Sequence, residues 1–339
     1  MKKKAGDILK LVIFLGIGIF FIYWFLLKLD GEQKAAILES FREANYIWVI
    51  AAMVVSLLSH WVRALRWRLL YEPMGLFPSQ NNTFGSVVVA YMANLAFPRL
   101  GEVARCATMR TSEQIPLEKS LGTVVTERVI DVLMFGIVIL LGMLIMYSDI
   151  KDWLYDSLIE KYESLPSIPL LVAVVIGGVV LLIIAYKLLW KRLLHILFFR
   201  KIDDLVRSCI TGVSSILHLG GHNTWLFIGY SFAIYLLYIL GGLLIIQAFE
   251  ESAGLGLKAA FAIYLFGSVG MVFSQGGLGV YPVLVQWALS LYAVPLTTGT
   301  AAGWMLWGSQ QVVVIVVGFA YLIYFAMAKR RQHKLPSDL

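Results

Sequence analysis

The chain has 339 residues, of which 60% are hydrophobic and 14% charged, and its formal net charge is +7. Soluble domains have about 25% charged residues, and a soluble core cannot bury this much apolar surface, so the composition excludes an ordinary soluble enzyme. The positive charge does not indicate nucleic-acid binding, because the lysines and arginines lie at the ends of apolar runs. We therefore predict an all-α polytopic membrane protein.

Six apolar runs are long enough to cross the roughly 30 Å hydrocarbon core of a bilayer as helices. These runs are Ile8 to Leu29, Tyr46 to Trp61, Leu121 to Tyr147, Ile168 to Trp190, Trp225 to Phe249 and Gly299 to Met327. Acidic and basic residues alternate between the connecting segments. By the positive-inside rule, this alternation predicts a cell (inner) membrane protein with both termini in the cytoplasm.

A shorter apolar segment lies between the second and third predicted spans. It runs from Phe84 to Phe97, has basic residues on both sides and is followed by Pro98. Because the charge has the same sign at both ends, we predict a re-entrant hairpin over residues 84–112 that enters from the cytoplasmic side.

A second interruption lies in the region from Ala259 to Ala328, which contains no Asp, Glu, Lys, Arg or His. Gly276, Gly277 and Gly279 divide residues 259–294 into two short pieces. The charge pattern is equally compatible with a re-entrant hairpin from the outside and with two short full spans. If both interruptions are hairpins, they enter from opposite faces, as in an inverted repeat with broken helices.

We expect a single transmembrane domain over residues 1–339. The first half, 1–147, would contain the cytoplasmic hairpin, and the second half, 166–328, would contain the interrupted segment. Between the halves, basic and apolar residues alternate over 191–223 and predict helices that lie on the cytoplasmic membrane surface.

The segment from Asn94 to Arg105 is the first functional candidate. Pro98 suits the first turn of a helix, and the helix after it would place Arg99, Glu102 and Arg105 near one face. One acid among two bases leaves a positive charge that could hold a phosphate or a carboxylate. The alternative is that Glu102 simply pairs with Arg99 or Arg105 at the membrane surface.

A second candidate group, Glu127, Arg128 and Asp131, stands at the beginning of the third predicted span. Glu127 and Asp131 are four residues apart and share a helix face. A network with the hairpin arginines would satisfy these charges in a water-filled cavity. The alternative is an ordinary helix end in the headgroup region.

Arg63 and Arg66 lie on one face near the end of the second predicted span. They would join the same site if its cavity reached them, although an interpretation as topology anchors is favoured. His60, near the same end, is expected at the membrane interface. The usual motifs of ATP, serine and zinc hydrolysis are missing from the sequence, so we predict no cofactor and no metal.

These motifs resemble those of the lysylphosphatidylglycerol synthase transmembrane-domain family, which is also described as flippase-like. The resemblance rests on Asn94 and Phe97 to Glu102 with Arg105, on Glu127 and Arg128 with Asp131, and on Gly276 to Gly279. It implies movement of a lipid between leaflets. The best-understood members also carry a soluble aminoacyl-transferase domain, which we do not expect in this chain, so the resemblance implies translocation rather than lipid synthesis. Relatives often continue the glycine motif with an acidic residue, whereas this chain continues with Val280, Tyr281 and Pro282.

We therefore expect a flippase- or scramblase-like translocase for an anionic phospholipid or a lipid-linked phosphate, and we favour a transporter over an enzyme. Alternatives are a membrane-embedded transferase that acts on a lipid phosphate and a non-catalytic partner of an envelope enzyme. Membrane lipids, not nucleic acid, are the expected partners, and a homo-oligomer is left open. The expected headgroup-binding residues are Asn94, Arg99, Glu102, Arg105, Glu127, Arg128, Asp131, Arg63 and Arg66, with Pro98, Gly101, Gly276, Gly277 and Gly279 as structural hinges.

Overall fold

The computed structural model describes residues 29–97, 100–147 and 219–332, together with residues 19, 20, 22, 23, 25 and 27. This part of the chain is helical. In chain order its helices are α1 (Gly31–Glu43), α2 (Tyr46–Leu69), α3 (Gln80–Ala96), α4 (Leu100–Glu113), α5 (Leu117–Ile145), α6 (Gly221–Ile246), α7 (Leu257–Phe273), α8 (Val280–Ser290) and α9 (Leu296–Gln332), with single 3-10 turns at Glu72–Met74 and Gln275–Gly277.

Four stretches of the described chain are long and apolar enough to cross a membrane. They are Tyr46–Met74, Leu117–Ile145, Gly221–Ile246 and Leu296–Ala328. Four of the predicted spans are thus confirmed, and the protein is a multi-pass membrane protein. The run from Ile168 to Trp190, most of the run from Ile8 to Leu29 and the surface helices expected over 191–218 lie outside the described residues.

Two predicted boundaries are wrong, and both errors affect the position of charged residues. Helix α2 continues past the expected end at Trp61 to Leu69, because the arginines that follow Trp61 are paired inside the protein instead of ending the span. Helix α6 begins at Gly221, so residues 221–223 belong to a span and not to a surface helix.

The predicted hairpin over residues 84–112 corresponds to two packed helical arms, α3 and α4. At their open end, the Glu113 carboxylate accepts hydrogen bonds from Ser79 Oγ at 2.7 Å and from Asn82 Nδ2 at 2.6 Å. At the turn, the Gly101 backbone N–H donates to Asn94 Oδ1 at 2.7 Å. These contacts hold the two arms together at both ends. Entry of the hairpin from the cytoplasmic side stays a prediction.

The second interruption is also a pair of packed arms, α7 and α8. Helix α8 has 11 residues and is therefore about 17 Å long, well short of a bilayer core. A Cβ atom on Gly270 would lie 2.7 Å from the Tyr281 Cα atom, so glycine is needed where the arms meet. The short α8 favours the re-entrant alternative over two full spans.

Helix α9 packs against both hairpins. Gly303 lies against α8, where an added Cβ would be 2.6 Å from the Pro282 carbonyl oxygen, and the Tyr321 hydroxyl donates to Asn81 Oδ1 on α3 at 2.6 Å. The two breaks also approach each other, since a Cβ on Gly276 would lie 3.1 Å from Leu95 Cδ2. The hairpin tips therefore meet inside the helix bundle.

Candidate functional site

Two arginines of α2 and two carboxylates of α5 form the centre of a buried ion cluster. Arg63 Nη1 donates to Glu127 Oε1 and to Asp131 Oδ2, at 2.8 Å each. Arg66 Nη2 donates to Glu127 Oε1 at 3.1 Å and to Asp131 Oδ1 at 2.6 Å. Residues three or four apart share a helix face, so each pair presents its charges to the other helix.

Arg105 brings the first hairpin into the same cluster. Its Nη1 lies 2.8 Å from Glu127 Oε2. The guanidinium carbon lies 3.6 Å from the ring centroid of Trp67, an arrangement in which a cation is attracted to the aromatic face. Trp67 is itself fixed, because its Nε1 donates to Thr123 Oγ1 at 2.9 Å. Glu127 therefore holds the Nη1 edge of the Arg105 guanidinium group, and Trp67 holds one of its faces.

The cluster ends at a more exposed ion pair. Arg128 Nη2 lies 3.3 Å from Glu102 Oε1, and the two side chains are 46% and 29% exposed. Arg128 Nη1 also lies 3.7 Å from Asp131 Oδ2. The Arg66 side chain, in contrast, is 0% exposed. The cluster is thus closed to solvent at its centre and accessible to solvent at the Arg128 side. Its seven members among the described residues are Arg63, Arg66, Glu102, Arg105, Glu127, Arg128 and Asp131.

The cluster lies inside the helix bundle and not at its ends. Glu127 is ten residues into α5, which places it about 15 Å from the beginning of that helix. Arg63 is six residues before the end of α2, or about 9 Å from it. An ordinary helix end is therefore the wrong interpretation of Glu127, Arg128 and Asp131.

The burial of these side chains corrects three further expectations. Arg63 and Arg66 are not surface topology anchors, because both guanidinium groups are buried in ion pairs. His60 is buried rather than interfacial, and its ring centroid lies 4.6 Å from that of Tyr91. In the described part of the chain, the central carboxylates pair with buried arginines and do not line an open water-filled cavity, as the nearly inaccessible Glu127 shows.

The sequence profile of the family described as "Lysylphosphatidylglycerol synthase TM region" matches residues 8–330. This match covers nearly the whole chain. The chain belongs to this family. The resemblance read from the motifs is thereby confirmed. Comparisons with curated proteins and with solved structures give no match.

In this member of the lysylphosphatidylglycerol synthase TM-region family, helix α6 supplies polar contacts that sequence reasoning missed. Ser231 Oγ accepts from Arg66 Nη1 at 3.2 Å, and the Tyr238 hydroxyl accepts from Arg63 Nη2 at 3.3 Å. The Tyr235 hydroxyl donates to the Asp131 backbone oxygen at 2.7 Å. The only sequence signal was their spacing, which places all three near one face of an otherwise apolar helix.

The other predicted residues lie at the two helix breaks or outside the described part of the chain. Asn94 binds the backbone of Gly101 and so shapes the hairpin turn. Pro98 and Arg99 lie outside the described residues. In the second break, three glycines have positive φ angles: Gly276 at 59°, Gly277 at 80° and Gly279 at 73°. Trp307 Nε1 donates to the Gly276 carbonyl oxygen at 2.7 Å, which ties this break to α9.

The described residues of the ion cluster are four arginines and three carboxylates, which together carry a net charge of +1. The cost of removing two charges from water offsets much of the attraction between them, so a buried ion pair contributes little net stability. Ionisable residues inside a membrane span are, for the same reason, functional candidates by default. A surplus of guanidinium groups at this depth is suited to binding an anionic oxygen-bearing group.

Proposed function

We propose that this protein is a flippase- or scramblase-like lipid translocase. It moves a phospholipid or a lipid-linked phosphate between the leaflets of the inner membrane, with both termini in the cytoplasm. The observation that carries the proposal is the positively charged ion cluster, which lies inside the spans and shares Glu127 with the first hairpin.

The cluster provides what a charged headgroup needs in order to leave the membrane surface. A phosphate that enters an apolar environment without a partner loses its hydration at a cost of many kcal/mol. Arginine donors already inside the bundle replace part of that hydration. The Arg128–Glu102 pair, which is partly exposed, is the side of the cluster that a headgroup meets first.

The hairpins provide the movable part of the mechanism. Helix α4 carries Glu102 and Arg105, and each of these residues forms its ion pair with α5. Ion pairs can be exchanged for contacts with a ligand, and a short arm can shift without moving a full span. The second break, at Gly276, lies against the first hairpin at Leu95. A movement of the first hairpin that displaces Leu95 on α3 would thus reach the second break.

Leaflet exchange in proteoliposomes tests the proposal. The purified protein is placed in vesicles with fluorescent phosphatidylglycerol, and the fraction reached by a membrane-impermeant quencher is followed with time. We expect exchange well above that of empty vesicles. Asp131→Asn, which removes a charged partner of Arg63 and Arg66, should slow exchange about tenfold or more, since breaking a buried ion pair costs about 3–5 kcal/mol and about 1.4 kcal/mol is a factor of ten.

Glu118→Gln is the matched control, because Glu118 is exposed on the same helix. It should leave the rate unchanged. A wild-type rate equal to that of empty vesicles contradicts the proposal. A new covalent lipid product in the extract would instead favour the membrane-embedded transferase.

A further inference from the structure

Arg105 differs from the other two fully buried arginines of the ion cluster in how its donors are used. Within the described part of the chain, Arg63 and Arg66 engage both of their terminal nitrogens and leave only Nε without a partner. Arg105 Nη1 forms an ion pair with Glu127 Oε2 at 2.8 Å, while its Nε and Nη2 have no hydrogen-bond partner among the same residues. Arg105 thus keeps two adjacent donors unused although its side chain is only 4% exposed.

Nε and Nη2 form the side-on edge of a guanidinium group, from which two N–H bonds point in nearly parallel directions. This edge matches two oxygens of a phosphate or a carboxylate, and such bidentate contacts are among the strongest hydrogen bonds in proteins. Buried donors without a partner are costly. Arg105 retains two such donors, although Glu127 holds its Nη1 and Trp67 holds one face of its guanidinium plane. This combination is typical of a ligand-binding site.

We propose that the Nε/Nη2 edge of Arg105 is an oxyanion subsite that binds the phosphate of the lipid headgroup. This inference rests on the proposed function and names the group that the ion cluster recognises. The phosphate adds to Arg105 without displacing Glu127, because Glu127 occupies the Nη1 side. Trp67 under the guanidinium plane keeps the edge in one orientation.

Access to the subsite requires a small movement of the hairpin arm, since both donor nitrogens are buried. Arg105 lies on α4, five residues after its first residue, Leu100. A shift of the first turn of α4 that separates Glu102 from Arg128, at the accessible end of the cluster, would open this edge while the Arg105–Glu127 pair stays formed. Binding of phosphate would then stabilise the shifted arrangement of the hairpin.

Thermal unfolding of the full-length protein in detergent tests the subsite without any transport measurement. The probes are dihexanoylphosphatidylglycerol, dihexanoylglycerol, which lacks the phosphate, and inorganic phosphate. A ligand that binds only the folded protein raises its unfolding temperature. We expect the phosphate-bearing lipid to raise it more than dihexanoylglycerol does, and inorganic phosphate alone to act only weakly.

Arg105→Lys keeps a positive charge near Glu127 but removes the two-donor edge. We expect it to weaken the binding of dihexanoylphosphatidylglycerol about tenfold or more and to leave that of dihexanoylglycerol unchanged. Arg110→Lys, at an exposed position of the same helix, is the matched control and should bind both lipids as the wild type does.

Unchanged phosphate preference in Arg105→Lys would overturn the proposal. Equal stabilisation of the wild type by the two lipids would do the same, and this comparison does not depend on any variant folding. Strong stabilisation by inorganic phosphate alone would point to a soluble anion and would also overturn the assignment to a lipid. Phosphate-specific binding through Arg105 without leaflet exchange would leave the subsite standing and reject only the translocase function.

Discussion

Arg105 Nη1 on the short arm α4 lies 2.8 Å from Glu127 Oε2 on the full span α5. The other oxygen of Glu127 accepts hydrogen bonds from Arg63 and Arg66 of α2. One carboxylate therefore joins three guanidinium groups and links the first hairpin to two spanning helices. This shared carboxylate makes the hairpin position dependent on the charge balance of the cluster.

Glu127→Gln should be strongly destabilising. It leaves three buried arginines without their common negative partner, and removing one member of a buried ion pair costs about 3–5 kcal/mol. Chemical unfolding in detergent, followed by circular dichroism, measures the loss. Glu118→Gln changes an exposed residue of the same helix and should unfold as the wild type does. A Glu127→Gln protein of wild-type stability would mean that the arginines have other partners.

The Arg66–Asp131 pair should show strong energetic coupling. Arg66 Nη2 lies 2.6 Å from Asp131 Oδ1, and the side chains are 0% and 14% exposed. A double-mutant cycle with Arg66→Met and Asp131→Asn should give a coupling energy of about 1–3 kcal/mol. The more exposed Arg128–Glu102 pair should give less than about 1 kcal/mol in the same assay. The reverse order would contradict the assignment of the closed and open sides of the cluster.

Much of the helical framework follows from the sequence. Apolar runs of about 20 residues predict spans because of bilayer thickness, and the glycines from Gly276 to Gly279 predict a break because a helix does not tolerate them easily. Helical spacing also places Glu127 and Asp131 on one face. These features depend on neighbouring residues, so a single sequence is sufficient to predict them.

The partners across the ion cluster do not follow from the sequence. Arg63 and Glu127 are 64 positions apart, and nothing local indicates that they touch. The depth of Arg63 was also misjudged, because a short apolar run that ends at Trp61 places the arginine at the surface. The tyrosines of α6 were missed for a related reason: a hydroxyl in an apolar helix shows its role only when its partner is known.

Gly101→Ala should disturb the first hairpin. A Cβ at this position would overlap the Ala90 backbone oxygen of the facing arm, so the arms must separate, at a cost of about 1–3 kcal/mol. Loss of both unfolding stability and leaflet exchange is expected. Gly122→Ala is the matched control, because no atom of the described residues lies within 4 Å of the added Cβ. It should be neutral or slightly stabilising, as alanine favours a helix.

Trp307→Phe should loosen the second break while leaving the helices intact. Its indole Nε1 donates to the Gly276 carbonyl oxygen at 2.7 Å, and phenylalanine retains the aromatic ring but not the donor. Loss of about 1 kcal/mol of local stabilisation corresponds to roughly fivefold faster amide hydrogen exchange around residues 275–279. Mass spectrometry of the peptides that cover the break measures this rate. Trp304→Phe, one helical turn away, should leave it unchanged. Equal exchange in Trp307→Phe and the wild type would mean that the glycine turn holds its own conformation and that α9 does not control it.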